Sequence, residues 1–259
     1  FVLVDPDHFS PSNYERMHGS NWRDLEAKPL KIEILRRLIL EIEPMAEVVT
    51  LCGNVLDAAV LDEILRCDLV LGCTDSQHSR AALGDYANHY LLPCIDAAVL
   101  LRAKGGRITE QVGELARYTA DEPCPWCLGR INQKALAYEL MTVEEREQRA
   151  LAAAEAIQRG VDGTQYWGGK PPRERTVGYM TTTVGAIQAG YAEGWISGAS
   201  KMPHQRLQFD LGMPLLGVVP VEKQRRPECS CNRTKGWGDG ARSDRSVSMP
   251  IHWPKLGGH

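Results

Sequence analysis

The sequence predicts an α/β fold with a Rossmann-like, mostly parallel sheet that carries helices on both faces. Short apolar runs alternate with segments of helical periodicity through the first half of the chain, which indicates parallel strands joined by right-handed crossovers. The third run, Asp68–Cys73, is apolar on both faces, as a strand covered on both sides would be. Two close pairs of cysteines further predict a metal site that staples C-terminal strands to this sheet.

The first half supplies the alternation. Strands are predicted at Phe1–Asp5, Glu47–Leu51, Asp68–Cys73 and Pro93–Val99, with helices at Lys31–Ile42, Val55–Arg66 and Gln77–Tyr90 between them. In the first of these helices apolar residues recur three and four positions apart, and Pro44 ends the pattern.

The second half has a different pattern. Further strands are predicted at Gly106–Val112, Gln205–Asp210 and Leu215–Pro220, and helices at Thr142–Gln158 and Thr181–Ile196. Thr142 and Glu145 have the spacing of a capping box. The segment from about Asn132 to Arg175 has no other recognisable motif, and residues from 235 onward lack periodicity and are expected to be irregular.

Composition limits the function. The 259 residues, 43% of them hydrophobic, suffice for one large core or two joined ones. A net charge of −3 gives no basic surface for nucleic acid or anionic membranes, and no apolar run approaches the ~20 residues of a spanning helix. Without a visible signal peptide, the eight cysteines indicate a reduced, cytoplasmic protein rather than a disulfide framework.

Four of the cysteines form the predicted metal site. Cys124 and Cys127 have zinc-knuckle spacing, and Cys229 and Cys231 are separated by one residue. Four thiolates suit a closed tetrahedral zinc site, which is structural because it has no open position for a substrate. The alternative for a lone CxxC is a redox pair, but no thioredoxin-like pattern surrounds it.

Charged residues follow the predicted strands. Asp5 ends the first strand and Asp75 follows the third, so both lie at the carboxyl edge, where doubly wound sheets bind ligands. Lys31 begins the first full helix, and Arg16 lies in the preceding loop. Two carboxylates and two cations at one edge fit a nucleotide polyphosphate with Mg²⁺.

Each of these residues also has a purely structural interpretation. Asp5, Asp7 and Asn13 are common in turns, and Asp75 could cap the helix that follows it. Lys31 and Arg16 could be ordinary surface charges.

As an ordered set, however, these residues resemble the ThiF/MoeB and ubiquitin-activating-enzyme family of adenylyltransferases. The matching pieces are LVDPD with SNYER, Lys31, Asn54, CTDS, Arg80 and the two cysteine pairs. The likeness runs from residue 1 to about residue 130, and resumes more thinly from MTTTVGAIQAG to the second cysteine pair.

The resemblance implies a reaction and a set of roles. ATP and the C-terminal carboxylate of a small ubiquitin-like or sulfur-carrier protein would give an acyl adenylate and pyrophosphate. Arg16 and Lys31 would bind the phosphates, Asp5 the ribose, and Asp75 the Mg²⁺. The complete nucleotide-binding set that we predict is Asp5, Asp7, Asn13, Arg16, Lys31, Asn54, Asp75 and Ser76, and its catalytic members are Arg16, Lys31 and Asp75.

The resemblance also implies an organisation and partners. We expect an adenylation core at residues 1–130, a crossover insert at 131–175 that covers the acyl-adenylate site, completing elements at 176–234, and a tail at 235–259. We expect a homodimer and a downstream conjugating or sulfur-donor protein.

The chain departs from the family pattern in three places. Family members carry a glycine-rich phosphate loop before the LVD strand; we expect it upstream of Phe1, and weak ATP binding by the sequence as given. Residues 128–228 contain no cysteine, which favours adenylation without a self-thioester. Cys73 and Cys94 fall on predicted core strands, where burial would make them poor nucleophiles, and Cys52 and Cys67 are expected to be structural. Ser76 replaces the usual asparagine.

Two other functions remain open from sequence. An acid at a strand end also fits an NAD-dependent dehydrogenase, although CTDS, Lys31 and the cysteine pairs argue against it. A non-catalytic scaffold that partners an adenylyltransferase is the other alternative.

Overall fold

In the computed structural model, the residues described are 1–161, 176–199, 202–212 and 217–240. Part of the predicted insert, the start of the predicted strand Leu215–Pro220 and most of the predicted tail lie outside these residues. The four-part division of the chain stays a prediction.

The predicted α/β class is confirmed. The strands are β1 (Val2–Val4), β2 (Val49–Leu51), β3 (Val70–Gly72), β4 (Cys94–Lys104), β5 (Arg107–Tyr118), β6 (Arg206–Asp210) and β7 (Gly217–Pro220). The helices are α1 (Asp24–Ala27), α2 (Lys31–Ile42), α3 (Ala58–Ile64), α4 (Gln77–His89), α5 (Gln133–Glu139), α6 (Val143–Gln158) and α7 (Gly178–Ser197). The bounds of α2 match the prediction, and the predicted capping box is present at the start of α6. Helices α1 and α5 were not predicted, because four and seven residues are too short to show a helical period.

The strands form two sheets. β1 pairs in parallel with β2, and β3 pairs in parallel with β4. The second sheet has the order β3-β4-β5-β6-β7 and is antiparallel from β4 onward. The parallel pairs are those that the crossover helices predicted. The long β4–β5 hairpin extends beyond its predicted bounds and turns at Gly105 and Gly106, whose φ angles of 57° and 76° favour glycine.

Helices cover both faces of the five-stranded sheet. On one face α3 and α4 pack against Cys94 and Tyr118. On the other, α7 packs through Val184 against Ile95 and Leu115. Because side chains alternate along a strand, the neighbours Cys94 and Ile95 belong to opposite layers of the core.

A buried ionic network joins α4 to the sheet and to the segment after the CPWC knuckle. Asp96 on β4 is fully buried and accepts hydrogen bonds from Arg80 Nε at 2.9 Å and Tyr118 Oη at 3.0 Å. Arg130 Nη1 lies 2.9 Å from the same carboxylate, and Arg130 Nε lies 2.6 Å from Glu114. Burial raises the pKa of Tyr118 well above its usual value, so its hydroxyl stays a donor.

Replacing Arg130 by methionine is expected to lower the free energy of unfolding by about 3–5 kcal/mol, because buried Asp96 and Glu114 then each lose a cation. Urea unfolding measures the change. Arg102→Met is the control, since Arg102 and Glu110 form an exposed pair at 2.9 Å. That change should cost less than about 1 kcal/mol. Equal costs for the two variants would contradict the assigned role of the network.

Candidate nucleotide and metal sites

Lys31 and two carboxylates meet beyond the carboxyl end of β1. Lys31 Nζ lies 2.5 Å from Asp7 Oδ2 and 3.8 Å from Asp5 Oδ2. Asp5 Oδ1 accepts the backbone N–H of Asp7 at 2.8 Å, and the N–H of Lys31 donates to the Asp7 carbonyl at 3.0 Å. These bonds tie the first turn of α2 to the loop after β1. The Lys31 ammonium and the carboxylates of Asp5 and Asp7 thus face one another at a partly exposed rim. Their part in nucleotide binding stays a prediction.

Arg16 takes a different partner. Its Nη1 donates to Thr176 Oγ1 at 2.7 Å, just before α7 begins. Nearby, His18 Nε2 lies 2.8 Å from Thr182 Oγ1 on the first turns of α7. The loop after β1 therefore meets the start of α7 through two polar contacts that join residues about 160 positions apart. This junction is not predictable from the sequence, because neither threonine carries a local signal.

An open pocket of about 190 Å³ lies at this junction. Its lining includes Tyr14, Arg16, His18 and Tyr179. The pocket is also lined by Glu15, so one acid and the Arg16 cation both lie beside the first turn of the 20-residue helix α7.

The two asparagines of the predicted set already hold their own loops. Asn13 Oδ1 accepts from the backbone N–H and the hydroxyl of Ser10 at 2.9 and 2.8 Å. Asn54 Oδ1 accepts from the N–H of Leu56 at 3.1 Å and from Ser79 Oγ at 3.4 Å. Asn13 therefore has the structural role that the sequence left open, and Asn54 has a structural role that was not predicted. Their part in nucleotide binding stays a prediction.

Asp75 stands between two anchored neighbours. The Thr74 carbonyl accepts from Arg80 Nη2 at 2.9 Å, and Ser76 caps α4 by accepting the N–H of Ser79 at 3.2 Å. Asp75 itself is exposed, and within the described parts of the chain its carboxylate has no ion pair or hydrogen bond. Ser76, not Asp75, is thus the helix cap. The Asp75 carboxylate is available for a cation.

The four predicted zinc ligands come together. Their Sγ atoms all lie within 4.8 Å of one another, with 3.6 Å between Cys124 and Cys229 and 3.9 Å between Cys127 and Cys231. Tetrahedral zinc with sulfur at about 2.3 Å sets the sulfurs about 3.8 Å apart, so the cluster has the right size for this ion. These distances exceed a disulfide bond of about 2.05 Å.

The four thiols also interact with one another and with the backbone. Hydrogen bonding from Cys124 holds the pKa of the Cys229 thiol well below its usual range, and the same bond raises the pKa of Cys124. The backbone N–H of Arg226 also donates to Cys127 Sγ at 3.3 Å. A divalent ion would bind all four thiolates and offset part of their mutual repulsion. The residues therefore fit a structural zinc ion.

The cysteines outside the cluster differ in their exposure. Cys94 is buried as predicted, whereas Cys73 is exposed at the end of β3, and the expectation that it is buried is wrong. Burial around the sulfur is still the largest cause that raises the pKa of Cys73, and desolvation also raises the pKa values of Cys67 and Cys94. Raised pKa values make these thiols weak nucleophiles.

The sequence profile of the ThiF family matches residues 1–231, which is most of the chain. The chain belongs to the ThiF family. This agrees with the family resemblance of the motifs, and the acid–lysine rim and the four-cysteine cluster lie within the matched residues. No curated protein sequence matches this member of the ThiF family.

Solved structures share its fold. Escherichia coli MccB crystallised with ATP has a TM-score of 0.61 and 15% identity, over 89% of this chain and 58% of MccB. The microcin C7 biosynthetic enzyme MccB in complex with N-formylated MccA has a TM-score of 0.63 and 14% identity, over 89% of this chain and 59% of MccB. PaaA gives 0.52 and 15%, over 85% and 64%. This ThiF-family chain thus spans less than two thirds of each of these proteins.

Among the residues described, no helix is long and apolar enough to cross a membrane.

Proposed function

We propose that this ThiF-family protein is an ATP-dependent adenylyltransferase that activates the C-terminal carboxylate of a small protein or peptide. The observation that carries the proposal is the meeting of Lys31 with Asp5 and Asp7 at the carboxyl end of β1. In an open α/β sheet this edge is where ligands bind.

The proposed reaction needs cations that stabilise charge on the phosphates, and it needs no nucleophile from the enzyme. The substrate carboxylate attacks the α-phosphate of ATP, forms a C–O–P anhydride and releases pyrophosphate. Attack brings anions together, so Lys31 would stabilise the charge that develops on the phosphates. Asp7 now holds the Lys31 ammonium, and an incoming phosphate oxygen would replace or share that contact.

Magnesium would be held by Asp75. Its exposed carboxylate at the end of β3 is the type of oxygen ligand that Mg²⁺ prefers. Asp5 would accept a hydrogen bond from the ribose, and Arg16 would bind phosphate after leaving Thr176. We propose that the other predicted residues, Asp7, Asn13, Asn54 and Ser76, also contribute to nucleotide binding.

The identity of the activated partner is the less constrained part of the proposal. MccB has been crystallised with ATP and, separately, with MccA, which supports a nucleotide and a second substrate on this fold. A ubiquitin-like or sulfur-carrier protein and a ribosomal peptide share the required free C-terminal carboxylate. We propose transfer without a self-thioester, because the thiols of Cys67, Cys73 and Cys94 are weak nucleophiles. We also propose that the protein is a homodimer in the cytoplasm.

Pyrophosphate exchange tests this function. The full-length gene product is incubated with Mg²⁺, ATP, labelled pyrophosphate and a small Gly-Gly-terminated protein encoded by a neighbouring gene. We expect label to enter ATP only when the C-terminus is a free carboxylate, and the same protein with an amidated C-terminus is the matched control. Nucleotide binding without exchange would favour the scaffold alternative, and exchange that ignores amidation would contradict carboxylate activation.

A further inference from the structure

One carboxylate from the crossover segment between the cysteine pairs occupies the start of α4. Glu139 Oε1 accepts the backbone N–H of Gln77 at 3.0 Å. Glu139 Oε2 accepts the N–H of His78 at 2.8 Å and the hydroxyl of Ser76 at 2.9 Å. With the N–H of Ser79 satisfied by Ser76, the donors of the first turn of α4 are taken.

Helix α5, which ends at Glu139, is fixed to this turn at both ends. At its start the N–H of Asn132 donates to Gln77 Oε1 at 2.8 Å. Between the ends, Leu136 and Ile131 pack on Ala81 of α4. The helix therefore docks along α4 through one apolar contact region and two polar ends.

The next helix keeps Glu139 in place. Arg146 of α6 donates from Nη2 to the Glu139 carbonyl at 2.8 Å and from Nε to the Tyr138 carbonyl at 3.2 Å. Its guanidinium also lies 5.2 Å from the centre of the Tyr138 ring. These contacts satisfy carbonyls at the end of α5 and hold the backbone that presents the carboxylate.

We propose that Glu139 is a positioning residue, through which the crossover segment holds the Asp75 loop in the geometry that binds magnesium. The inference rests on the proposed function for the role of Asp75. Arg80 anchors Thr74 on one side of Asp75, and Glu139 anchors Ser76 on the other. Asp75 is left exposed between them. The Glu139 carboxylate already accepts the N–H groups of Gln77 and His78 at the start of α4. The phosphates would therefore bind elsewhere, at the rim where Lys31 lies.

The test compares Glu139→Ala, Glu139→Gln and Glu145→Ala in the full-length gene product. Glu145 is the matched control, because it caps α6 of the same segment by accepting the N–H of Thr142 at 2.8 Å, and among the described residues it forms no hydrogen bond or ion pair with α4. Hydrogen exchange of the Gln77 and His78 amides should accelerate about tenfold in Glu139→Ala. It should accelerate less in Glu139→Gln, which keeps one acceptor oxygen, and should stay unchanged in Glu145→Ala.

A second measurement links the loop to magnesium. The Mg²⁺ concentration at half-maximal pyrophosphate exchange should rise about tenfold or more in Glu139→Ala and not in Glu145→Ala. Unchanged amide exchange in Glu139→Ala, or an unchanged Mg²⁺ midpoint in that active variant, would overturn the inference. The absence of pyrophosphate exchange in the wild type would instead count against the proposed function. In that case the amide exchange rates would still decide whether Glu139 holds the Asp75 loop.

Discussion

Lys31→Ala is expected to reduce pyrophosphate exchange by about a hundredfold or more, because it removes the cation that stabilises charge on the phosphates. Lys31→Arg keeps the charge and should retain part of the activity. Fold stability should change little, since a partly exposed ion pair contributes about 1 kcal/mol or less. The Lys31–Asp7 pair is of this kind, with side-chain exposures of 22% and 64%.

The matched control is Lys134→Ala. Lys134 lies in the first turn of α5, as Lys31 lies in the first turn of α2, and it is exposed. We expect wild-type exchange from this variant. Full exchange by Lys31→Ala at saturating ATP would show that Lys31 does not act on the phosphates, and a large fall in its melting temperature would show that its role is structural.

Loss of the metal ligand Cys127 is expected to have the largest effect on stability. Cys127→Ser should lower the melting temperature by about 10 °C or more, since losing a structural metal costs several kcal/mol and each kcal/mol shifts the melting point of a chain this size by about 2–4 °C. The four thiols join segments 105 positions apart, so the metal closes a long loop. Calorimetry and metal analysis measure the effect, with one zinc per wild-type chain.

The exposed Cys52 provides the control. Cys52→Ser removes a thiol outside the cluster and should keep both the zinc and the melting temperature. Zinc-free wild-type protein with full stability would contradict the structural role of the metal. A chelator should destabilise the wild type and leave Cys127→Ser unaffected.

Several elements could be predicted because their signals are local. Helix α2 has apolar residues at helical spacing and a proline after its end, and its bounds were predicted correctly. The capping box of Thr142 and Glu145 depends on residues three positions apart. The spacing within each cysteine pair predicts metal binding, and the structure adds that all four sulfurs lie within 4.8 Å of one another.

The rim was partly predictable for a topological reason. The carboxyl ends of parallel strands lie at one edge, so Asp5 and Lys31 could be expected to meet, and they do. The hydrogen bond from Arg16 to Thr176 was not predictable, because it depends on the contact between the loop after β1 and the start of α7.

The sequence by itself determined the α/β class through periodicity, the family through its motif resemblance and the four clustered cysteines through their spacing, because all of these signals are present along the chain. Only the tertiary structure decided which side chains occupy the start of α4, where Glu139 acts on residues more than sixty positions away. It also decided that Cys73 is exposed while Cys94 is buried. Contacts of this kind depend on how helices pack on the sheet, and neither a helical period nor a cysteine spacing contains that information.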